Sequence, residues 1–164
     1  MPSIPSRFRP RPFAVCGRWH RLRRWANLLN LSTPAGLFLA RLTGCRVDPG
    51  PYGTLLAEGY PLALPRAAAF TIGNVVFYRP AAARRISTGR MNAGNSPLLR
   101  HEMRHSTQYA VLGPLFLPLY FAAAVFSRLL TGNAARANPF ERLAGLADGG
   151  YRQPPAGTGG RPQG

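Results

Sequence analysis

The stretch Ser96-Pro97-Leu98-Leu99-Arg100-His101-Glu102-Met103-Arg104-His105 decides how this chain is read. Ser96 followed by Pro97 is a helix start. The serine hydroxyl can accept from the free amides of the first turn, and proline fills the first helical position without wasting a donor. The helix is expected to run from Pro97 to about Leu112, where Gly113-Pro114 breaks or kinks it. Each helical residue turns about 100°, so His101 and His105 stand within about 40° of one another, one turn apart. Both imidazoles can therefore reach one ion. Glu102 falls between them and the adjacent face, placed to hold a water beside that ion without being forced to ligate it. This is the geometry of a general base for zinc-assisted hydrolysis. The plain alternative is two exposed helix histidines beside a glutamate.

A catalytic zinc usually has three protein ligands and an open position. The third histidine of the chain, His20, lies in the basic amino-terminal region, so a carboxylate is the expected third ligand. Glu141 is the choice. It follows Asn138-Pro139, a second cap-plus-proline signal, at the head of a short last helix expected to end near Gly149-Gly150. Asn138 and Glu141 also have capping-box spacing, which needs no metal. Asp148 is the fallback ligand, and Asp48 and Glu58, which precede the motif, are weaker candidates.

Between these two helices, residues 106 to 127 carry no charge, and Leu112 to Phe126 is apolar apart from Tyr120. A bilayer crossing needs about 20 helical residues. Gly113, Pro114 and Pro118 argue against a straight span that starts at the motif. The segment reads as a membrane-embedded or interfacial hairpin, with a full crossing and a buried core helix as alternatives.

Upstream, Ala69 to Tyr78 is β-branched and aromatic, apolar on both alternating faces and flanked by Pro65 and Pro80, so it reads as a strand. A turn-rich stretch from Asp48 to Gly53 leads to it through Thr54 to Tyr60. Trp25, Leu28, Leu29, Leu31, Leu37, Leu39 and Leu42 predict two helical pieces interrupted near Ser32, Thr33 and Pro34. Arg18, Arg21, Arg23 and Arg24 at the head of the first piece could lie on an anionic membrane surface. Residues 1 to 17 and 151 to 164, rich in proline with arginine or glycine, are expected to be extended or disordered. No compact apolar run follows the basic start at signal-peptide distance, so no cleaved secretion signal is expected.

The 164 residues suffice for one domain with a core, placed at 18 to 150 with the apolar segment at 106 to 130 inside it. All 21 basic residues are arginine against five acidic ones, a net charge of +16 that favours anionic surfaces. Acidic lipid and nucleic acid both qualify. Seven arginines lie between Arg7 and Arg24 and the other fourteen are scattered, which speaks against a dedicated groove. Cys16 and Cys45 lack CxxC spacing and read as free or small buried thiols.

His101-Glu102-Met103-Arg104-His105 and Glu141-Arg142-Leu143-Ala144 resemble the HExxH and downstream ExxA elements of the gluzincin class of zinc metallopeptidases. The similarity covers residues 69 to 148. It implies that His101, His105 and Glu141 ligate zinc, that Glu102 activates water, and that the strand Ala69 to Tyr78 lies near the edge that holds an extended polypeptide substrate. Arg104 is charged where the class has an uncharged residue, Thr107 replaces a more apolar one, and Gly145 stands where the ExxAD form has aspartate.

The expected architecture is α+β: a small sheet beside the HExxH helix, completed by the apolar helix and a short C-terminal helix. The expected activity is peptide-bond hydrolysis by a membrane-associated protein at the cytoplasmic face. The alternatives are a non-catalytic protein of the same fold with a structural or lost zinc site, and an arginine-rich nucleic-acid binder.

Overall fold

The computed structural model describes residues 17–86 and 96–151. The segments expected to be disordered, 1–17 and 151–164, fall outside these apart from Gly17 and Tyr151, as do Cys16 and the loop from Ser87 to Asn95. The architecture is α+β, a four-stranded mixed sheet with five principal helices.

The leucine-rich amino-terminal region forms α1 (Arg18–Leu29) and α2 (Ser32–Leu42). The break falls at Asn30 and Leu31, ahead of the Ser32-Thr33-Pro34 position predicted for it. Asn30 Oδ1 accepts from the Ser32 amide at 3.0 Å. Pro34 then sits in the first turn of α2, where a missing amide costs no intrahelical hydrogen bond.

The sheet comprises β1 (Arg46–Pro49), β2 (Leu55–Glu58), β3 (Ala69–Ile72) and β4 (Val75–Tyr78) in the order β1-β2-β4-β3. β2 and β4 are parallel and the outer pairs antiparallel. The single strand predicted over Ala69 to Tyr78 is a hairpin that turns at Gly73-Asn74, so apolar character on both faces belongs to β4, the strand buried on both sides. Val76 and Tyr78 face a core layer with Leu98 and Leu99, whereas Val75 and Phe77 face Ala40, Ala57 and Tyr60. β1 begins ahead of the stretch read as turn-rich and overlaps it, its alternation hidden by a length of four residues.

The HExxH motif lies on α3 (Pro97–Leu112), which Ser96 caps by accepting from the Leu99 amide at 3.4 Å. Its buried stripe comprises Leu98, Leu99, His101, Glu102, His105, Ser106 and Tyr109, and it packs on β3, α1 and the carboxy-terminal helix. Gly113 (φ 58°, ψ −142°) bends the chain through a 3-10 turn, Gly113–Leu115, into the apolar helix α4 (Phe116–Thr131). The last helix, α5 (Pro139–Ala144), is shorter than predicted: Gly145, at φ +86°, ends it well before Gly149.

A buried polar cluster joins the hairpin turn to α1, α2 and α3. Asn27 Nδ2 donates to Asn74 Oδ1 (3.0 Å) and to the Ser106 carbonyl (2.9 Å), and Ser106 Oγ donates to Asn74 Oδ1 (2.9 Å). Asn74 donates through both its amide and its side chain to Thr33 Oγ1, at 3.1 and 3.0 Å. Linked in this way, and with Asn27 Oδ1 alone of these side-chain atoms lacking a hydrogen-bond partner among the described residues, the buried polar groups fix one relative placement of the helices they connect.

Three helices are turned inside out relative to a water-soluble protein. α1 buries Arg23 and Asn27 while Leu22, Trp25 and Leu29 are exposed on the other sides of the helix, as is Trp19 one turn before Arg23. α2 buries Ser32, Thr33, Gly36 and Ala40 and exposes Leu37, Phe38 and Leu42. α4 buries only Phe116 and Ser127. The helical stretch Pro97–Thr131 has the length and apolarity to cross a membrane.

Candidate metal centre

The periodicity that places His101 and His105 one turn apart on α3 brings their Nε2 atoms to 3.1 Å. Glu141, from the first turn of α5, meets them from the opposite side. Its Oε2 lies 3.3 Å from His101 Nε2 and its Oε1 3.8 Å from His105 Nε2. All three side chains are buried. Helix α5 is capped by Asn138, whose Oδ1 accepts from the Phe140 amide at 3.0 Å, so the Glu141 carboxylate is turned to the histidines and not back to the cap.

The other ring nitrogens are committed as donors. His101 Nδ1 lies 3.1 Å from both the Ala144 and Gly145 carbonyl oxygens, which can only accept. His105 Nδ1 lies 2.8 Å from Gln108 Oε1, and Gln108 is itself oriented by donating through Nε2 to the Phe140 carbonyl at 2.9 Å. With both protons on Nδ1, two Nε2 lone pairs and a carboxylate converge on one point. This is the orientation that ligating histidines receive from neighbouring acceptors.

The three side chains are close enough together to hold a metal ion. Ligand bonds of about 2.0–2.1 Å imply ligand-to-ligand separations of about 3.3–3.4 Å along a tetrahedral edge; the two Nε2 atoms and the His101–Oε2 pair stand near that, at 3.1 and 3.3 Å, while the approach to His105 is longer, 3.8 Å, and made by the other carboxylate oxygen. Glu141 Oε2 is buried and makes no hydrogen bond of ordinary geometry among the described residues. An orphaned carboxylate oxygen aimed between two imidazoles is costly unless a cation or proton joins them. Its partner oxygen, Oε1, accepts from the Tyr120 hydroxyl.

Electrostatics follow burial and neighbours. Burial alone would raise the Glu141 carboxyl, but the close His101 ring, the hydrogen bond from Tyr120 and the neighbouring His105 hold it below the usual range. Burial lowers His101, yet Glu141 and Glu102 more than reverse this and raise it. His105 is lowered, mainly by burial. Glu102 lies alongside, almost sealed from solvent, its Oε2 accepting from Thr71 Oγ1 at 2.7 Å. Burial pushes it up to about 7, against the opposing pull of His101 and Thr71. A carboxyl titrating near neutrality suits proton transfer in both directions.

The fallback ligand Asp148 stands elsewhere. Its carboxylate pairs with Arg100 (3.2 Å) and Arg104 (2.8 Å) on the outer face of α3. That pairing accounts for a charged residue at position 104, a departure from the resembled class. His20 packs its ring on Tyr52 at 4.8 Å, Asp48 pairs with Arg46, and Glu58 ends β2; none belongs to the cluster. The Gly145 carbonyl contacts the His101 ring directly, 3.1 Å from Nδ1.

These groups line a cavity of about 700 Å³ bounded by β3, α3 and α4. Comparison with protein-family models, with curated proteins and with solved structures finds no match. Sequence reasoning missed Thr71, Gln108, Tyr120 and Tyr151. Tyr120 carried a signal, being the one polar residue between Leu112 and Phe126. Gln108, three residues after His105, carried another, since that spacing places it over the same helix face. Nothing local marks Thr71 or Tyr151, which reach the site through the sheet and the carboxy-terminal turn.

Proposed function

We propose that this chain is a small, membrane-associated zinc metallopeptidase of gluzincin type. The observation that carries the reading is the buried convergence of His101 Nε2, His105 Nε2 and the Glu141 carboxylate, with both Nδ1 atoms already bonded. Two imidazoles and one carboxylate with an open position form a catalytic zinc set. Zinc, when bound, supplies Lewis-acid polarisation of a carbonyl and acidifies water.

The remaining work falls to the protein. Glu102, unprotonated, takes a proton from water as the water oxygen bonds to the scissile carbonyl carbon. It then returns that proton to the amine nitrogen as the C–N bond breaks, and one water is consumed per bond. Thr71 holds the Glu102 carboxylate in place. Tyr120 holds that of Glu141, and the Ala144 and Gly145 carbonyls hold the His101 ring. β3, at the edge of the sheet, offers a row of backbone groups to an extended polypeptide.

The inverted helices support membrane association. Small and polar residues inside with large apolar ones outside is the arrangement of helices that pack in lipid. At 1.5 Å per residue, α1, α2 and α4 measure about 18, 17 and 24 Å, each short of the roughly 30 Å hydrocarbon core. The longer stretch through Pro97 is interrupted at Gly113, and its first half is occupied by the buried site. The protein is therefore read as seated in one leaflet, with Arg18, Arg21 and Arg24 among anionic cytoplasmic headgroups. Several other arginines serve the fold, Arg23, Arg79 and Arg104 donating to main-chain carbonyls, which weakens the nucleic-acid reading.

Metal analysis of the purified chain tests the proposal. About one zinc per chain is expected, lost in His101→Ala and His105→Ala and retained by Glu102→Gln, with peptide hydrolysis lost in all three. Equal zinc in wild type and the double histidine variant would refute the site. Zinc retention without hydrolysis of any peptide by the wild type would favour a non-catalytic protein of this fold.

A further inference from the structure

The cavity over the metal centre is apolar far beyond what hydrolysis requires. Apart from the site residues and tyrosines its walls are Leu39, Phe70, Ile72, Leu117, Phe121 and similar side chains, with Arg66 as the one further charged residue among those lining it. Its volume lies within the about 300–1,000 Å³ of ligand pockets. The rim is equally distinctive. Leu64, Leu117 and Phe121 line the cavity and are 68%, 37% and 58% exposed. The mouth thus opens on the same apolar surface that α4 presents, and among the described residues lining the cavity Arg66 is the one exposed charged side chain.

We infer that the site takes an extended, apolar polypeptide segment, entering from the lipid side between α4 and β3. This rests on the reading of the site as hydrolytic. A charged peptide would have to shed its hydration on entering and would find Arg66 as its one fixed counter-charge outside the site. Leucine or phenylalanine side chains lose nothing, because they exchange one apolar environment for another. An acyl chain would satisfy the walls but not β3, whose outward N–H and C=O groups require partners that only a polypeptide backbone supplies as a matching row. The floor agrees. Glu102, the base toward water in the reaction proposed above, lines the same cavity as His101, His105 and Glu141, and an extended segment held across it presents an amide at each residue.

The test uses the full chain in neutral-lipid nanodiscs, stripped of metal so that binding is read apart from turnover. The probes are dansylated, end-blocked hexapeptides of alternating leucine and alanine, a counterpart with glutamate for leucine, a counterpart N-methylated at alternate amides, and a dansylated decanoyl chain. Empty nanodiscs supply the partition background. Fluorescence anisotropy is expected to show the leucine peptide binding at least about tenfold more tightly than the other three, since glutamate must shed its hydration, the N-methylated peptide has lost amide donors to β3 and the decanoyl chain has no backbone row to offer. Leu117→Asp with Phe121→Asp should weaken that binding by about tenfold or more, and the peptide series reads the same property without any change to the protein. Equal affinity for leucine and glutamate peptides, or a decanoyl probe that binds as tightly as the peptide, overturns the inference. The zinc measurement is independent of both results: zinc with no peptide preference sinks the inference alone, and peptide preference without zinc sinks the hydrolase reading alone.

Discussion

Replacing Asn74 with alanine removes four side-chain hydrogen bonds at once. Nδ2 loses the Thr33 hydroxyl (3.0 Å) and the Arg24 carbonyl (3.2 Å), and Oδ1 loses Asn27 (3.0 Å) and Ser106 (2.9 Å). Thr33, Asn27 and Ser106 are all buried, so water cannot substitute, whereas Arg24 is exposed and its carbonyl can recover a partner. Asn27 keeps its bonds to Ser106, which trims the loss further. Three effective bonds at about 1 kcal/mol each give a destabilisation of about 3 kcal/mol. For a chain of this size that corresponds to a fall in Tm of about 6–12 °C. Circular-dichroism melting of the metal-free protein in mild detergent measures it. Thr33→Val, which removes the acceptor shared by the Asn74 amide and side chain, loses two hydrogen bonds and should cost about two thirds as much. A double-mutant cycle between Asn74→Ala and Ser106→Ala should show coupling of about 1 kcal/mol. A shift below about 2 °C for Asn74→Ala would refute the reasoning, because it would mean that the cluster does not fix α1 and α3 to the hairpin.

Two further outcomes concern the metal centre. Tyr120→Phe deletes the donor to Glu141 Oε1 and should weaken zinc binding about 10- to 100-fold, read by competition with a chromogenic chelator; an unchanged affinity would detach Tyr120 from the site. Gly149→Ala would place a Cβ 2.8 Å from His101 Cε1 and 3.0 Å from Nδ1, so it should push the ring off its carbonyl acceptors and raise the zinc dissociation constant by about tenfold or more. Wild-type affinity in that variant would show that the carboxy-terminal turn does not hold the histidine.

Local signals in this sequence survived better than long-range ones. The helix Pro97–Leu112 is legible because its start, its stop and its histidine spacing are all local properties, and the structure has the same limits. Glu141 was placed beside the histidines because charged residues are scarce enough here that only a handful of carboxylates compete. The hairpin was not legible, since Gly73-Asn74 lies within a continuous apolar run and the turn is held by contacts from Thr33, forty residues away. α5 ends early because Gly145 adopts a left-handed torsion, and a glycine next to alanine and leucine gives little warning of it. The inside-out helices were missed for a different reason. Leucine spacing shows which residues share a face but not whether that face is buried or exposed, and the burial of Asn27, Ser32 and Gly36 shows that the leucine face is the exposed one.

Position 145 shows a chemical requirement exchanged for a conformational one. In the longer motif a carboxylate at this place supplies an acceptor; here the acceptors for His101 are peptide oxygens, and what the position must provide is a bend. At φ +86°, ψ 96° the Ala144 and Gly145 carbonyls both point at one ring nitrogen, while the Arg104 guanidinium lies 2.6 Å from where a Cβ would stand. Aspartate would restore the familiar spelling and lose the torsion that aims both oxygens. Scored by side-chain chemistry, the change toward the longer motif looks like a repair; scored by the shape of the chain, it is the damaging one. The information at this position is held in an angle, and a motif written as letters has no symbol for it.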